Sequence, residues 1–283
     1  MASNAVLSLA KFAAGVAGHS HALVADAIES LADVLTSVAV WRGSVLAAAP
    51  PDEDHPYGHG KAEPLAAAIV SAMMLFAAGW IVLKSFGEIA LPHKTPAAYT
   101  LFVLVGAVIV KEALFRFTNR QGTLAGNMAV RADATHHRSD AITSFAAGVG
   151  ISVSLVGGKG YEAADDWAAI AAACVIAWNG LRQLRPALSE LMDKAPGHDV
   201  SQRIRRLAET IPGVERVEKC MVRKMGHQLY VDMHLEVNPR MTVLRSHEIA
   251  HEVKDKIRDI MPVVNDVLVH VEPIGIPAPH RQG

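Results

Sequence analysis

The sequence predicts an all-α membrane domain of six helices followed by a small α+β domain, and three observations carry that prediction. The 283 residues are 51% hydrophobic but only 5% aromatic, with a mean hydropathy of +0.23, which is more apolar than an ordinary soluble chain. The first two thirds offer six stretches near the roughly 20 residues that cross a hydrocarbon core. From Pro196 onward the pattern changes to amphipathic helices and alternating strands.

The six apolar stretches lie near residues 4–22, 23–48, 62–86, 97–118, 126–156 and 163–185, so the membrane domain takes residues 1–190. Polar connections separate them: "PPDEDHPYGHGK" after the second, "RFTNRQGTLAGN" after the fourth and "LRQLRPALSELMDKAPGHD" after the sixth. Arg42, Lys61, Arg116, Arg120, Arg131, Arg182, Arg185 and Lys194 flank those connections, against Lys84, Lys94 and Lys159 at the others. The bias puts both chain ends in the cytoplasm, since basic residues accumulate on that side. The apolar run at the start lacks a basic leader and reads as a shortened first span with an amino-terminal segment missing.

Residues 191–195 form a linker, and 196–275 read as helix, strand, strand, helix, strand. The strings are "DVSQRIRRLAETI", "VERVEKCMVRK", "HQLYVDMHLEV", "LRSHEIAHEVKDKI" and "DVLVHVEP". The order αββαβ predicts a two-layer domain of ferredoxin-like kind. Residues 276–283 read as a loose tail. A net charge of −1 without a long basic run excludes a nucleic-acid footprint. Cys174 and Cys220 sit in unrelated contexts and support neither a disulfide framework nor a zinc ribbon.

Ionisable residues then stand out against the apolar background. In the second span Glu29 and Asp33 are four residues apart, as are His136 and Asp140 in the fifth, and such pairs share a helix face. Two such pairs offer four nitrogen and oxygen ligands to a divalent metal, which would offset the cost of burying them. The loop residues Asp52, His55 and His59 have spacing for a second metal. In the soluble domain His234, His247, His270 and Glu272 are further ligand candidates, with Glu218 nearby and strand alternation pointing His270 and Glu272 the same way. "HEIAH" at His247–His251 also matches the zinc-protease pattern with Glu248 as general base, a weak signal in a domain too small for a substrate groove. A membrane metal sensor that transports nothing is the other rival class.

Together, "ESLAD", "HHRSD", "HPYGHGKAE" and "GHQLYVDMHLEV" resemble, in order, the cation diffusion facilitator family. The resemblance covers nearly the whole chain. It implies a homodimeric, multi-pass transporter of the bacterial inner membrane that exports divalent cations in exchange for protons and is not an enzyme. Its transport site would be Glu29, Asp33, His136 and Asp140. Asp52, His55 and His59 would make a loop site, and Glu218, His234, His247, His270 and Glu272 a cytoplasmic one. Lys61 and Asp193 resemble the family's charge pair near the dimer interface. No organic cofactor is implied. Zn²⁺ leads as cargo, with Fe²⁺, Co²⁺, Ni²⁺ and Cd²⁺ as alternatives, because His136 brings an imidazole to the site. Glu29 departs from the His or Asp more usual there and opens the question of selectivity.

Overall fold

The fold is given by a computed structural model that describes residues 2–89, 95–124, 128–158, 161 and 163–275; the side chains of 2, 3, 40, 118 and 121–139 also lie outside the described residues. The tail at 276–283 is therefore not described. The chain divides into two compact units, one of residues 1–41 and 66–185, the other of residues 42–65 with the chain from Pro186 onward.

The first unit is a bundle of helices: α1 (Ala2–Ala17), α2 (His21–Ala47), α3 (Ala62–Ile89), α4 (Tyr99–Leu124), α5 (Met128–Gly157) and α6 (Ala163–Leu191). The first stretch stops short of its expected end, because the backbone turns at His19, whose φ is 53°. The side chain of Ser20 and the carboxylate of Asp165 then cap the start of α2: Asp165 accepts from the Ser20 hydroxyl and from the amides of His21 and Ala22, satisfying donors that a helix start leaves open. The expected polar connection after the fourth span is mostly helix instead, since α4 runs to Leu124. Gln, Arg, Thr and Leu tolerate helix well enough to be carried along by the preceding turns. A Cβ on Gly150 would lie 2.2 Å from the Ala168 methyl, so glycine is what lets α5 and α6 approach there.

The bundle is built inside out. Phe76, Leu83, Phe102, Phe145 and Val156 are exposed, while Lys11, Asp26, Glu29, Lys111, Asp140 and Asp166 are buried. Apolar side chains outward and charges inward is the arrangement that lipid selects and water forbids. Among the described residues, the segments Ala62–Ile89 and Asp140–Gly157 are long and apolar enough to cross a membrane. Between helices, Leu23, Met74, Ile81, Leu104, Ile151 and Ile176 pack the apolar part of the core.

In the second unit α7 (His198–Glu209), β1 (Arg216–Met225), β2 (Gln228–Val237), α8 (Val243–Ile260) and β3 (Val264–Pro273) give the expected αββαβ order. The sheet order is β1-β2-β3, with β2 antiparallel to β1 and parallel to β3, a ferredoxin-like arrangement with both helices as the second layer. Along β2, Leu229, Val231, Met233 and Leu235 are buried while Tyr230, Asp232 and His234 are half-buried, the period of two that a half-covered sheet requires. Ile204, Ile249, Val253 and Ile257 cover those residues from the helices. Thr242 caps α8 by accepting from the Arg245 amide.

The loop between α2 and α3 belongs to this second unit. It lies against the β1–β2 turn: a Cβ on Gly60 would stand 2.7 Å from the Met225 carbonyl carbon, and Gly226 there has φ of +61°. Glycine at both positions permits the approach. The Tyr230 hydroxyl donates to the Tyr57 carbonyl at 3.3 Å, and the Arg223 guanidinium lies 5.4 Å from the Tyr57 ring.

Candidate metal sites

Within the bundle, α2 carries Glu29 and Asp33 one turn apart and α5 carries Asp140. Glu29 and Asp140 are buried and Asp33 is half-buried. The Glu29 carboxylate is within electrostatic reach of Asp26, Asp140, Asp33 and Lys111, so the carboxylates of the two helices converge. The fourth expected ligand, His136, lies on α5 but its side chain falls outside the described residues, as does that of His137.

Sequence reasoning passed over the groups that share this interior. The Lys11 ammonium on α1 donates to Asp26 Oδ2 at 2.7 Å and to Ser30 Oγ at 2.6 Å; Lys111 on α4 donates to Ser30 Oγ at 3.1 Å and stands 3.5 Å from Asp140 Oδ2. Ser144 on α5 donates to Asp26 Oδ1 at 2.5 Å. A signal was available: each lysine interrupts an apolar run, "LSLAKFAAG" and "VIVKEALF", and an ionisable residue inside a span needs a partner.

The loop residues do come together. Asp52 Oδ1 accepts from the His55 amide at 2.6 Å and meets His55 Nδ1 at 3.1 Å, while Asp52 Oδ2 is 3.3 Å from His59 Nε2. The His55 amide, then the charges of His55 and His59, hold the Asp52 carboxyl below its ordinary range. Their ligand atoms all lie within 4.8 Å of one another. Next to this loop, Lys61 Nζ is 3.1 Å from Asp193 Oδ1 and donates to the Leu191 carbonyl at 3.3 Å. Asp193 has a left-handed backbone, φ 57°, just past the end of α6 at Leu191.

On the sheet, His234 and His270 are register partners on β2 and β3. His234 Nδ1 lies 2.8 Å from Glu272 Oε1 and 3.6 Å from Glu218 Oε2, and His270 Nε2 is 3.3 Å from Glu272. Partial burial pushes the Glu272 carboxyl up, but its hydrogen bonds with His234 and Glu218 and the two imidazoles outweigh that and hold it below its usual range. His234, His270 and Glu272 thus form a compact ligand set. His247 is not brought to it: it stands exposed on α8, its ring 4.6 Å from that of His251. The "HEIAH" pattern finds no support either, since Glu248 is held by Arg245 at 3.0 Å.

The cation efflux transmembrane domain matches residues 1–192 and the cation efflux protein cytoplasmic domain matches residues 196–274. The chain belongs to the cation diffusion facilitator family. Among its relatives, the manganese efflux system protein MneP of Bacillus subtilis is 30% identical over 275 residues, 96% of this chain and 93% of that protein. Metal tolerance protein 2 of Oryza sativa is 31% identical over 298 residues, covering 96% and 76%. Magnetosome protein MamB of Magnetospirillum gryphiswaldense is 30% identical over 270 residues, covering 94% and 89%. As a member of the family this chain is a membrane metal-efflux transporter with a cytoplasmic C-terminal domain, and not an enzyme.

Proposed function

We propose that this cation diffusion facilitator exports divalent transition metal from the cytoplasm by exchange for protons, through a site made of Glu29, Asp33, His136 and Asp140. The observation that carries this reading is the convergence of buried Glu29 and Asp140 with Asp33 inside a bundle sheathed by apolar side chains. Buried carboxylates are costly unless paired or metal-bound. Ligands must be deprotonated to bind metal, so proton and metal compete for the same groups and exchange follows from linkage. An imidazole, with an unperturbed pKa of about 6.5, is suited to that competition near neutral pH.

Three carboxylates to one imidazole is a harder donor set than a zinc site usually has, and it suits Mn²⁺ and Fe²⁺ as well as Zn²⁺. That the relative MneP is a manganese efflux system protein supports placing Mn²⁺ beside Zn²⁺ among the cargo. Two further sites fit the same ions: Asp52, His55 and His59 in the loop, and His234, His270 and Glu272 with Glu218 in the cytoplasmic domain. The working unit is proposed to be a homodimer in the bacterial inner membrane, with metal on the cytoplasmic domain favouring whichever dimer state binds it better.

Reconstitution in liposomes tests the transport reading. A pH gradient should drive flux of at least one of Mn²⁺, Fe²⁺, Zn²⁺, Co²⁺, Ni²⁺ and Cd²⁺, and Asp140→Ala should lower it at least about 100-fold, the upper end for losing even an outer-shell partner. Flux that ignores the gradient, or that survives the substitution, would refute the proposal.

A further inference from the structure

Lys111 lies near the middle of α4, twelve residues past its start at Tyr99, which at 1.5 Å per residue is about 18 Å along the helix. Its side chain cannot reach an interface from there, and it is 4% exposed. A full positive charge is therefore held inside the bundle, next to the place where a cation is to bind.

The two interior lysines are held differently. Lys11 has close acceptors in the Asp26 carboxylate and Ser30 Oγ, 2.7 and 2.6 Å away. The other Asp26 oxygen takes the Ser144 hydroxyl, so Asp26 is filled by Lys11 and Ser144. Lys111 has longer contacts, 3.1 Å to Ser30 Oγ and 3.5 Å to Asp140 Oδ2, and it repels Lys11, whose charge it faces across Ser30. Lys11 is a fixed clamp between α1 and α2. Lys111 bridges a neutral hydroxyl and a carboxylate, and it can give up the second while keeping the first.

We infer that the Lys111 ammonium is a tethered counter-cation of the transport site, resting on Asp140 when no metal is bound and displaced toward Ser30 when metal takes Asp140. The inference rests on the assignment of Asp140 to the transport site. A divalent cation on Asp140 competes with the ammonium for the same carboxylate charge, and two positive charges a few ångströms apart repel, so binding weakens the already long Lys111–Asp140 contact and favours the Ser30 hydroxyl. The displaced charge stays close and repels the cargo. Lys111 thus caps metal affinity and speeds release, acting as a positioning and affinity-setting residue beside the proton.

Equilibrium binding of Mn²⁺ and Zn²⁺ to the purified full chain in detergent, by titration calorimetry, together with flux in liposomes, tests this. Lys111→Gln is expected to bind metal about tenfold more tightly, ~1.4 kcal/mol, with KM and maximal flux both lowered. Lys111→Arg keeps the positive charge, though in a larger planar group, and should not show the tighter binding of Lys111→Gln. Ser30→Ala removes the alternative berth and should weaken binding, the opposite direction, while leaving the Lys11–Asp26 pair in place. That variant keeps the inference testable if Lys111→Gln fails to fold. Unchanged or weaker binding in Lys111→Gln, or unchanged binding in Ser30→Ala, overturns the inference, provided Asp140→Ala has lost the wild-type site. Should Asp140→Ala bind metal as wild type does, the transport-site reading itself falls.

Discussion

The bundle and the cytoplasmic domain obey the same rule in opposite solvents. In the cytoplasmic domain Leu235, Ile249 and Ile257 are buried while Arg245, Glu248 and Glu252 share an exposed ion network on α8. In the bundle Phe76 and Phe102 are exposed while Lys11 pairs with Asp26 in the interior. A charge on α8 therefore carries little information, because water would accept it anywhere on that face. A charge in the bundle interior is there against its solvation, so each one asks for a partner or a cargo.

The sharpest way to break this comparison is to remove one partner from an ion pair in each region. Asp26→Ala leaves the Lys11 ammonium buried without its carboxylate, which should cost the bundle about 3–5 kcal/mol and show as a large loss of thermal stability in detergent. Glu252→Ala on α8 should cost less than about 1 kcal/mol, as exposed pairs do. Equal effects would mean that the bundle interior is hydrated and the contrast is only apparent.

Much of this architecture was legible from the residues, for physical reasons that differ by region. Period-two alternation in "HQLYVDMHLEV" gave β2 because one sheet face is covered by helices and the other is not. Helix-face spacing placed Glu29 with Asp33. What spacing cannot report is which helices neighbour one another, so the pairing of Lys11 with Asp26, and of Lys111 with Asp140 and Ser30, appears only once α1, α2, α4 and α5 are packed. His247 shows the converse: its residue type suited the cytoplasmic ligand set, but α8 presents its ring beside His251, outside the compact group of His234, His270 and Glu272. The loop of residues 48–61 reads as a membrane-domain connection, yet it packs with the second unit, a grouping that long-range contact decides and local pattern does not.

Truncation in the cytoplasmic core sharpens the other half of the contrast. Leu235, fully buried on β2, should cost about 2–5 kcal/mol when changed to Ala, read as lost hydrogen-exchange protection across β1, β2 and β3. Protection that persists would show that the sheet is held chiefly from outside its own core.

Exposed apolar residues give a paired test at nearly matched exposure. Phe76, 77% exposed on α3, faces lipid, whereas Leu244, 69% exposed on α8, faces water. Phe76→Lys should therefore lower membrane insertion and yield, by about 2.5–3.5 kcal/mol at a span centre, while Leu244→Lys should stay within about 0.5 kcal/mol. If the two lysines were tolerated alike, the outer surface of the bundle would not be its lipid-facing surface.

The smallest expected effect concerns a pair that water already serves well. Lys254 Nζ lies 2.6 Å from Asp266 Oδ1, and the Lys254 hydrogen bond, against some desolvation, holds the Asp266 carboxyl below its ordinary range. A depressed folded pKa means that the stabilisation is present above the unfolded value of about 3.9 and is lost as pH falls through the folded value. Because both side chains are substantially exposed, screening limits the gain to about 0.5 kcal/mol. Asp266→Asn should remove that small increment at pH 7 and leave stability at acid pH unchanged. Hydrogen exchange of β3 amides at the two pH values would measure it. A loss of the same size at both would assign the effect to packing of the aspartate and not to its charge.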